Sequence, residues 1–283
     1  MLATGLKGSK AGKATRKIRR LTRALGTVRE LDVTLTLLDE LASAVEVPRA
    51  AVEDVRAHVV RERDSRRAIM LKRLEKVDAE KLGRRLGSVG AALESATEEP
   101  WRRTLSGRLL RRSKRLSVAM DAAGHMYQPE RLHDVRIAAK KLRYGLELAF
   151  DSGVKQAAAH LRTIKRAQDL LGKLHDLQVL QTHIAEVQIS GDTARPEPRA
   201  ALEVLAAYVE EQCRRLHGRY LSSSAALRDV PAAIRKVIVP QLAQSPRRRR
   251  PLKMALPRPA APRAVRPDKG AVSIRLSGGR GGR

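Results

Sequence analysis

The stretch from His133 to Glu147, HDVRIAAKKLRYGLE, separates into a charged side and an apolar side when it is drawn as a helix. Successive residues of an α-helix turn by about 100°, so residues three and four apart share a face. The apolar side can then be buried against neighbouring helices. The charged side holds His133, Arg136, Lys140, Arg143, Tyr144 and Glu147, with Lys141 at its edge, and the apolar side holds Val135, Ala138, Ala139, Leu142, Leu146 and Ala149.

The cations of this helix form a fixed array that favours an anionic ligand. Like charges at these spacings repel each other by roughly 0.2–0.5 kcal/mol per pair, and on the charged side only Glu147 offsets them. Tyr144 lies on this side although packing does not require it there, and His133 is a candidate hydrogen-bond donor to an anion. The alternative interpretation of the same pattern is a solvated surface helix without a ligand.

Two stretches of the chain resemble the signatures of one family. The segment LHDVRIAAKKLRYGLE, at residues 132–147, is similar to the signature of the conserved histidine α-helical domain, or CHAD, in which regularly spaced basic residues and a Leu-Arg-Tyr triplet follow a histidine. The segment LLGKLHDLQVL, at residues 170–180, resembles the second signature of that family. The resemblance implies an all-helical domain of two similar four-helix halves that binds inorganic polyphosphate along a basic surface and has no catalytic activity of its own.

An internal duplication also predicts two related halves. The segment LGTVRELDVTL, which begins at Leu25, matches LGKLHDLQVLQ, which begins at Leu171, so the offset is 171 minus 25, or 146 residues. Repeated units of this kind pack against each other to complete a common core. We therefore expect an all-α fold of two pseudo-symmetric helical bundles, with halves at about 1–124 and 125–244.

The same offset predicts that the first half lacks its first helix. Subtracting 146 from the numbers of the signature helix gives positions before Met1, so its counterpart is absent from this sequence. We expect the first half to be incomplete at its N-terminus and to leave apolar side chains uncovered.

Other candidate anion-binding residues follow from the same angular analysis of two further helices. On the second-half helix the cations share a face with Asp169 and Asp176, so ion pairing on a solvated surface is the alternative to ligand binding. The first-half set contains arginines alone. The candidates are Arg162, Lys165, Arg166 and Lys173 in the second half, and Arg16, Arg19, Arg20 and Arg23 in the first.

The basic charge of the chain divides between a folded part and a tail. The net charge is +28, and residues 245–283 carry 12 basic residues and one acidic residue, or +11, which leaves +17 for residues 1–244. The tail is rich in Pro, Arg and Gly and has too few apolar residues to form a core. We expect a helical domain at 1–244 and a disordered basic tail at 245–283 that attracts polyanions or has no role in binding.

Helical periodicity runs through the chain, and no segment alternates as a strand does. The single cysteine, Cys213, cannot form an internal disulfide, which fits a reducing compartment. No apolar run is long enough to span a membrane, and the N-terminus lacks the apolar stretch of a signal peptide. We predict a cytoplasmic protein with helices at residues 15–41, 49–76, 79–96, 101–122, 130–150, 155–188, 198–222 and 232–239, and with a loop at 190–198.

The sequence does not favour an enzyme. The segment GSKAGKA, which begins at Gly8, has the wrong glycine spacing for a phosphate-binding loop and ends in alanine. His175, Asp176 and His183 are too few and too widely spread to predict a metal site. We find no nucleophile with a neighbouring base, and we expect no cofactor and no bound metal.

The main functional hypothesis is therefore non-catalytic binding of inorganic polyphosphate by rows of Lys and Arg, with His133 and Tyr144 as hydrogen-bond donors. By the resemblance, such a protein would associate with polyphosphate granules. The competing class is a sequence-independent nucleic-acid-binding protein that uses the basic surface and the arginine-rich tail. A third class is a scaffold whose helices bind an acidic protein.

Overall fold

The computed structural model describes residues 9–94, 98–190 and 196–244, and no strand occurs in these ranges. The predicted all-α fold is confirmed. In chain order the helices are α1 (Ser9–Leu41), α2 (Arg49–Glu75), α3 (Ala79–Glu94), α4 (Glu98–Ala123), α5 (Pro129–Asp151), α6 (Ala157–Ser190), α7 (Pro196–Ala233) and, after a π-helical turn at Ile234–Ile238, α8 (Val239–Gln244).

Local sequence signals account for several helix ends. Asp78 caps α3, since its Oδ1 accepts a hydrogen bond of 2.7 Å from the Lys81 backbone N–H. Gly124 follows α4 with a φ of 56°, the left-handed conformation that glycine adopts without steric cost. Pro129 opens α5, where its missing N–H and fixed φ suit the first turn. The link between α4 and α5 therefore lies where the sequence predicts it.

The prediction that the seventh helix ends at Ser222 was wrong, because α7 continues to Ala233. The hydroxyls of Ser222, Ser223 and Ser224 donate to backbone carbonyls three or four residues earlier, so these serines are accommodated inside the helix. Beyond them, Leu227 and Val230 are buried at 1% and 0% exposure, and this burial holds the added turns in place.

One aliphatic core joins the described helices. The main packed pairs are α1 with α2, α4 with α5, α5 with α6, and α6 with α7. α1 also contacts α3 and α6, α2 contacts α6 and α7, and α4 contacts α7 and α8. The predicted boundary between halves at residue 124, and the two-fold relation itself, stay predictions.

The apolar side of α5 is buried as the helical pattern predicts. Val135, Ala139, Leu142, Leu146 and Ala149 are all fully buried, and Ala138 is partly buried. α4 approaches α5 closely at Gly145, where an added Cβ would lie 2.8 Å from Leu109 Cδ2. The charged side of α5 is thereby fixed in orientation relative to α4 and α6.

α1 is less well covered than α6 at the positions that the predicted register pairs. Ile18 and Leu25 on α1 are 38% and 48% exposed, whereas Ile164 and Leu171 on α6 are 0% and 2% exposed. The difference agrees with the expectation of uncovered apolar side chains in the first half.

No helix in the described ranges is both long and apolar enough to cross a membrane. The predicted disordered tail at 245–283 and residues 191–195 of the predicted loop lie outside the described residues.

Candidate functional site

The charged side of α5 divides into exposed and partly buried residues. Lys140, Lys141 and Tyr144 are exposed, and His133 is partly buried. Arg136 and Arg143 lie at the margin of the apolar side and are also partly buried. Exposed and partly buried cations therefore have different partners, although the sequence places them on one side.

Arg143 is held by contacts within its own helix. Its Nε lies 3.5 Å from Glu147 Oε1, and its guanidinium carbon lies 5.1 Å from the centre of the Tyr144 ring, a cation–π distance. The Nε atom is buried without a hydrogen bond. These contacts orient the guanidinium, and Tyr144 remains 41% exposed beside it.

Arg136 lies where α5 packs on α6 and interacts electrostatically with Asp176 on α6 and Glu30 on α1. Burial lowers the pKa of Arg136, and these two carboxylates oppose that shift. Burial also raises the pKa of Asp176, which Glu30 raises further and Arg136 lowers. Arg136 therefore compensates two carboxylates between helices, and it is less accessible to a ligand than Lys140.

His133 of α5 faces His175 of α6, with the ring centres 5.0 Å apart and the rings tilted by 56°. Burial, followed by the charges of Arg136 and His133, lowers the pKa of His175 to about 4. The His175 imidazole is therefore neutral at pH 7. It can donate or accept one hydrogen bond, but it adds no charge to the surface.

The pKa of His175 predicts a pH dependence of stability. Because the folded pKa lies below the usual value of 6.5, the unfolded chain binds more protons between pH 6.5 and about 4. We expect the free energy of unfolding to fall as the pH decreases through this window, and a His175→Gln variant to lose less stability over it than the unsubstituted protein. Urea unfolding at several pH values measures this, with His125→Gln as the control for loss of a histidine. Equal slopes for His175→Gln and the unsubstituted protein would contradict the prediction.

The candidate cations of α6 and α1 are all exposed. The sequence left open whether the α6 set pairs with Asp169 and Asp176. No carboxylate in the described ranges lies within 4.0 Å of the charged atoms of these cations. The α6 set is Arg162, Lys165, Arg166 and Lys173, and the α1 set is Arg16, Arg19, Arg20 and Arg23.

The structure adds a basic row on α4 that the sequence analysis did not single out. Arg112 Nη1 donates a hydrogen bond of 2.6 Å to the Lys141 carbonyl, which joins this row to α5. Burial lowers the pKa of Arg112, and the charges of Arg108, Arg115 and Arg111 lower it further. The run RRSKR at residues 111–115 was the available signal, but its position beside α5 depends on tertiary packing.

Comparison with known protein families agrees with this arrangement. The model of the CHAD domain matches residues 2–185, which include the charged helix α5 and the second signature on α6. The chain belongs to the CHAD domain family. A search of curated proteins and a search of solved structures found no match to this chain. Membership of the CHAD family is consistent with a role related to polyphosphate.

Proposed function

We propose that this CHAD protein binds inorganic polyphosphate, without catalysis, along a surface formed by α5 and α6. The observation that carries the proposal is a set of exposed cations on these two packed helices for which the described ranges provide no carboxylate partner. We call this set the α5–α6 surface, and its members are Lys140, Lys141, Arg162, Lys165, Arg166 and Lys173.

The other candidates have supporting positions around the α5–α6 surface. Tyr144 and His133 supply hydrogen-bonding groups that carry no positive charge of their own when neutral. Arg136 and Arg143 contribute positive charge close to the surface while their guanidinium groups are held by neighbouring side chains. The arginine row of α1 and the row of α4 extend the region of positive charge.

A linear polyphosphate fits such a surface better than a single-stranded nucleic acid does. Polyphosphate presents closely spaced charges and no bases, so it calls for rows of cations on rigid elements. Proteins that bind single strands usually stack bases on aromatic side chains, and aromatic residues make up 2% of this chain.

Binding of polyphosphate should depend steeply on salt. Each neutralised phosphate releases condensed counterions, so the logarithm of the binding constant falls linearly with the logarithm of the salt concentration. For six contacts the slope is about −4, taking the value for single-stranded polyanions of roughly −0.7 per contact. Titrations from low to physiological salt measure this slope. An affinity that does not change over this range would refute the electrostatic basis of the proposal.

Competition distinguishes polyphosphate from nucleic acid as the preferred ligand. We expect long-chain polyphosphate to displace duplex DNA from a protein truncated after Gln244, at matched phosphate concentration and fixed salt. Truncation removes the arginine-rich tail, so the result reports on the helical part alone. Preference for DNA in this assay would favour the nucleic-acid hypothesis instead.

Association with polyphosphate granules is the cellular counterpart of this proposal. A fluorescently tagged protein should colocalise with granules in cells that form them, and it should become diffuse when polyphosphate synthesis is blocked.

A further inference from the structure

Two histidines and two glutamates converge where α2 packs on α6. The four residues are His58 and Glu62 on α2 and His183 and Glu186 on α6, and one nitrogen or oxygen atom from each lies within 4.8 Å of the other three. The pairs are spaced i,i+4 and i,i+3, so each pair shares one face of its helix. This cluster is separate from the α5–α6 surface, because none of its members belongs to that set.

The geometry of the cluster centres on Glu186. Its Oε2 lies 3.0 Å from His58 Nε2 and 3.0 Å from His183 Nδ1. Glu62 Oε2 lies 3.8 Å from the same His183 nitrogen. With metal–ligand distances of about 2.0–2.1 Å, neighbouring donor atoms around a tetrahedral zinc ion are about 3.4 Å apart. The observed separations are close to that value.

The surroundings of the cluster suit a bound cation. Arg66 donates hydrogen bonds to Glu62 Oε1 and so leaves Oε2 directed towards His183. An outer partner of this kind orients a carboxylate ligand. The His183 side chain is 9% exposed and that of Glu186 is 46% exposed, so the cluster is anchored in the core and open to solvent on one side.

We propose that His58, Glu62, His183 and Glu186 form a binding site for a divalent transition-metal ion, with Zn²⁺ as the expected ion. Two imidazoles and two carboxylates are a ligand set that zinc accepts, whereas Mg²⁺ and Ca²⁺ prefer oxygen ligands alone. The two carboxylates neutralise the charge of the ion. When bound, the metal links α2 to α6, which are 128 residues apart in sequence at the His58 and Glu186 contact.

The site extends the sequence analysis, which considered His183 as a ligand only with His175 and Asp176. Its actual neighbours on α2 are remote in sequence, so spacing alone does not bring them together. The proposal is independent of polyphosphate binding, because the metal site would exist whatever anion the protein binds.

Metal titration of the full chain, stripped with a chelator and free of any histidine tag, tests the proposal. We expect one Co²⁺ per chain with the visible absorption of a tetrahedral site, and displacement of Co²⁺ by Zn²⁺. Zn²⁺ at a hundredfold excess over its Kd should raise the midpoint of thermal unfolding by about 5 to 10 °C. Mg²⁺ at the same concentration should have no such effect.

Substitutions then locate the metal. His58→Gln and Glu186→Gln should each weaken Zn²⁺ binding more than about tenfold, and circular dichroism without metal should show an unchanged helix content. Because Glu186 is largely exposed, its variant remains informative if a histidine variant unfolds. His160→Gln, on the same helix outside the cluster, is the matched control and should bind Zn²⁺ normally. Absence of one-to-one binding, or equal affinity in the Glu186→Gln variant and the unsubstituted protein, would overturn the proposal.

Discussion

Replacing Lys140, Lys165 and Arg166 together by glutamine is expected to weaken polyphosphate binding at least about a hundredfold. An exposed charge-assisted contact contributes about 1 kcal/mol, between the values for buried charged hydrogen bonds and for surface ion pairs. Three such losses correspond to roughly two orders of magnitude. The salt slope should also become shallower by about 2, because three fewer phosphates are neutralised.

Stability should not change in this variant, since all three side chains are exposed and none has an ion-pair partner in the described ranges. A matched control removes the same charge from α7, as Arg199→Gln, Arg214→Gln and Arg215→Gln. These arginines pair with Glu203, Glu210 and Glu211 on their own helix. If both triple variants lose affinity equally, net charge governs binding and the α5–α6 surface is not the site.

A second large effect is expected on stability when Leu171 is replaced by alanine. Leu171 on α6 is 2% exposed and belongs to the core. Truncating such a leucine removes buried apolar surface and leaves a cavity, which costs about 2–5 kcal/mol. Urea denaturation monitored by circular dichroism measures the change in the free energy of unfolding.

Leu25→Ala is the control for this substitution, because the predicted register pairs Leu25 with Leu171. Leu25 is 48% exposed on α1, so its truncation should change stability by no more than about 0.5 kcal/mol. A large loss from Leu25→Ala would show that another surface covers α1 in solution, for example through association between copies of the chain.

The fold class and the two sides of α5 were predictable because they depend on local periodicity. Every residue of α5 turns by the same angle, so Leu142 and Lys140 are assigned to opposite sides without knowledge of any neighbour. The link from Gly124 to Pro129 was predictable for a similar reason, since glycine and proline restrict the backbone at their own positions. The end of α7 was missed because burial of Leu227 outweighed the low helix propensity of the three serines.

The roles of the charged residues were less predictable, because a periodic pattern does not identify the partner of a side chain. Arg136 and Lys140 belong to one charged side in the sequence. Packing of α5 on α6 then gives Arg136 two carboxylates and leaves Lys140 exposed. The arginines of α4 join this region only through the hydrogen bond from Arg112 to the Lys141 carbonyl.

The sequence by itself thus determined the helical character, the apolar face of α5 and the family of this protein, since each is carried by residues close together in the chain. The tertiary structure alone decided which cations remain exposed and which groups meet across helices. His58 and His183 are the clearest case, because their ring centres lie 5.8 Å apart although 125 positions separate them. Contacts of that range depend on how whole helices pack, and the packing depends on the complete set of buried side chains rather than on any single segment.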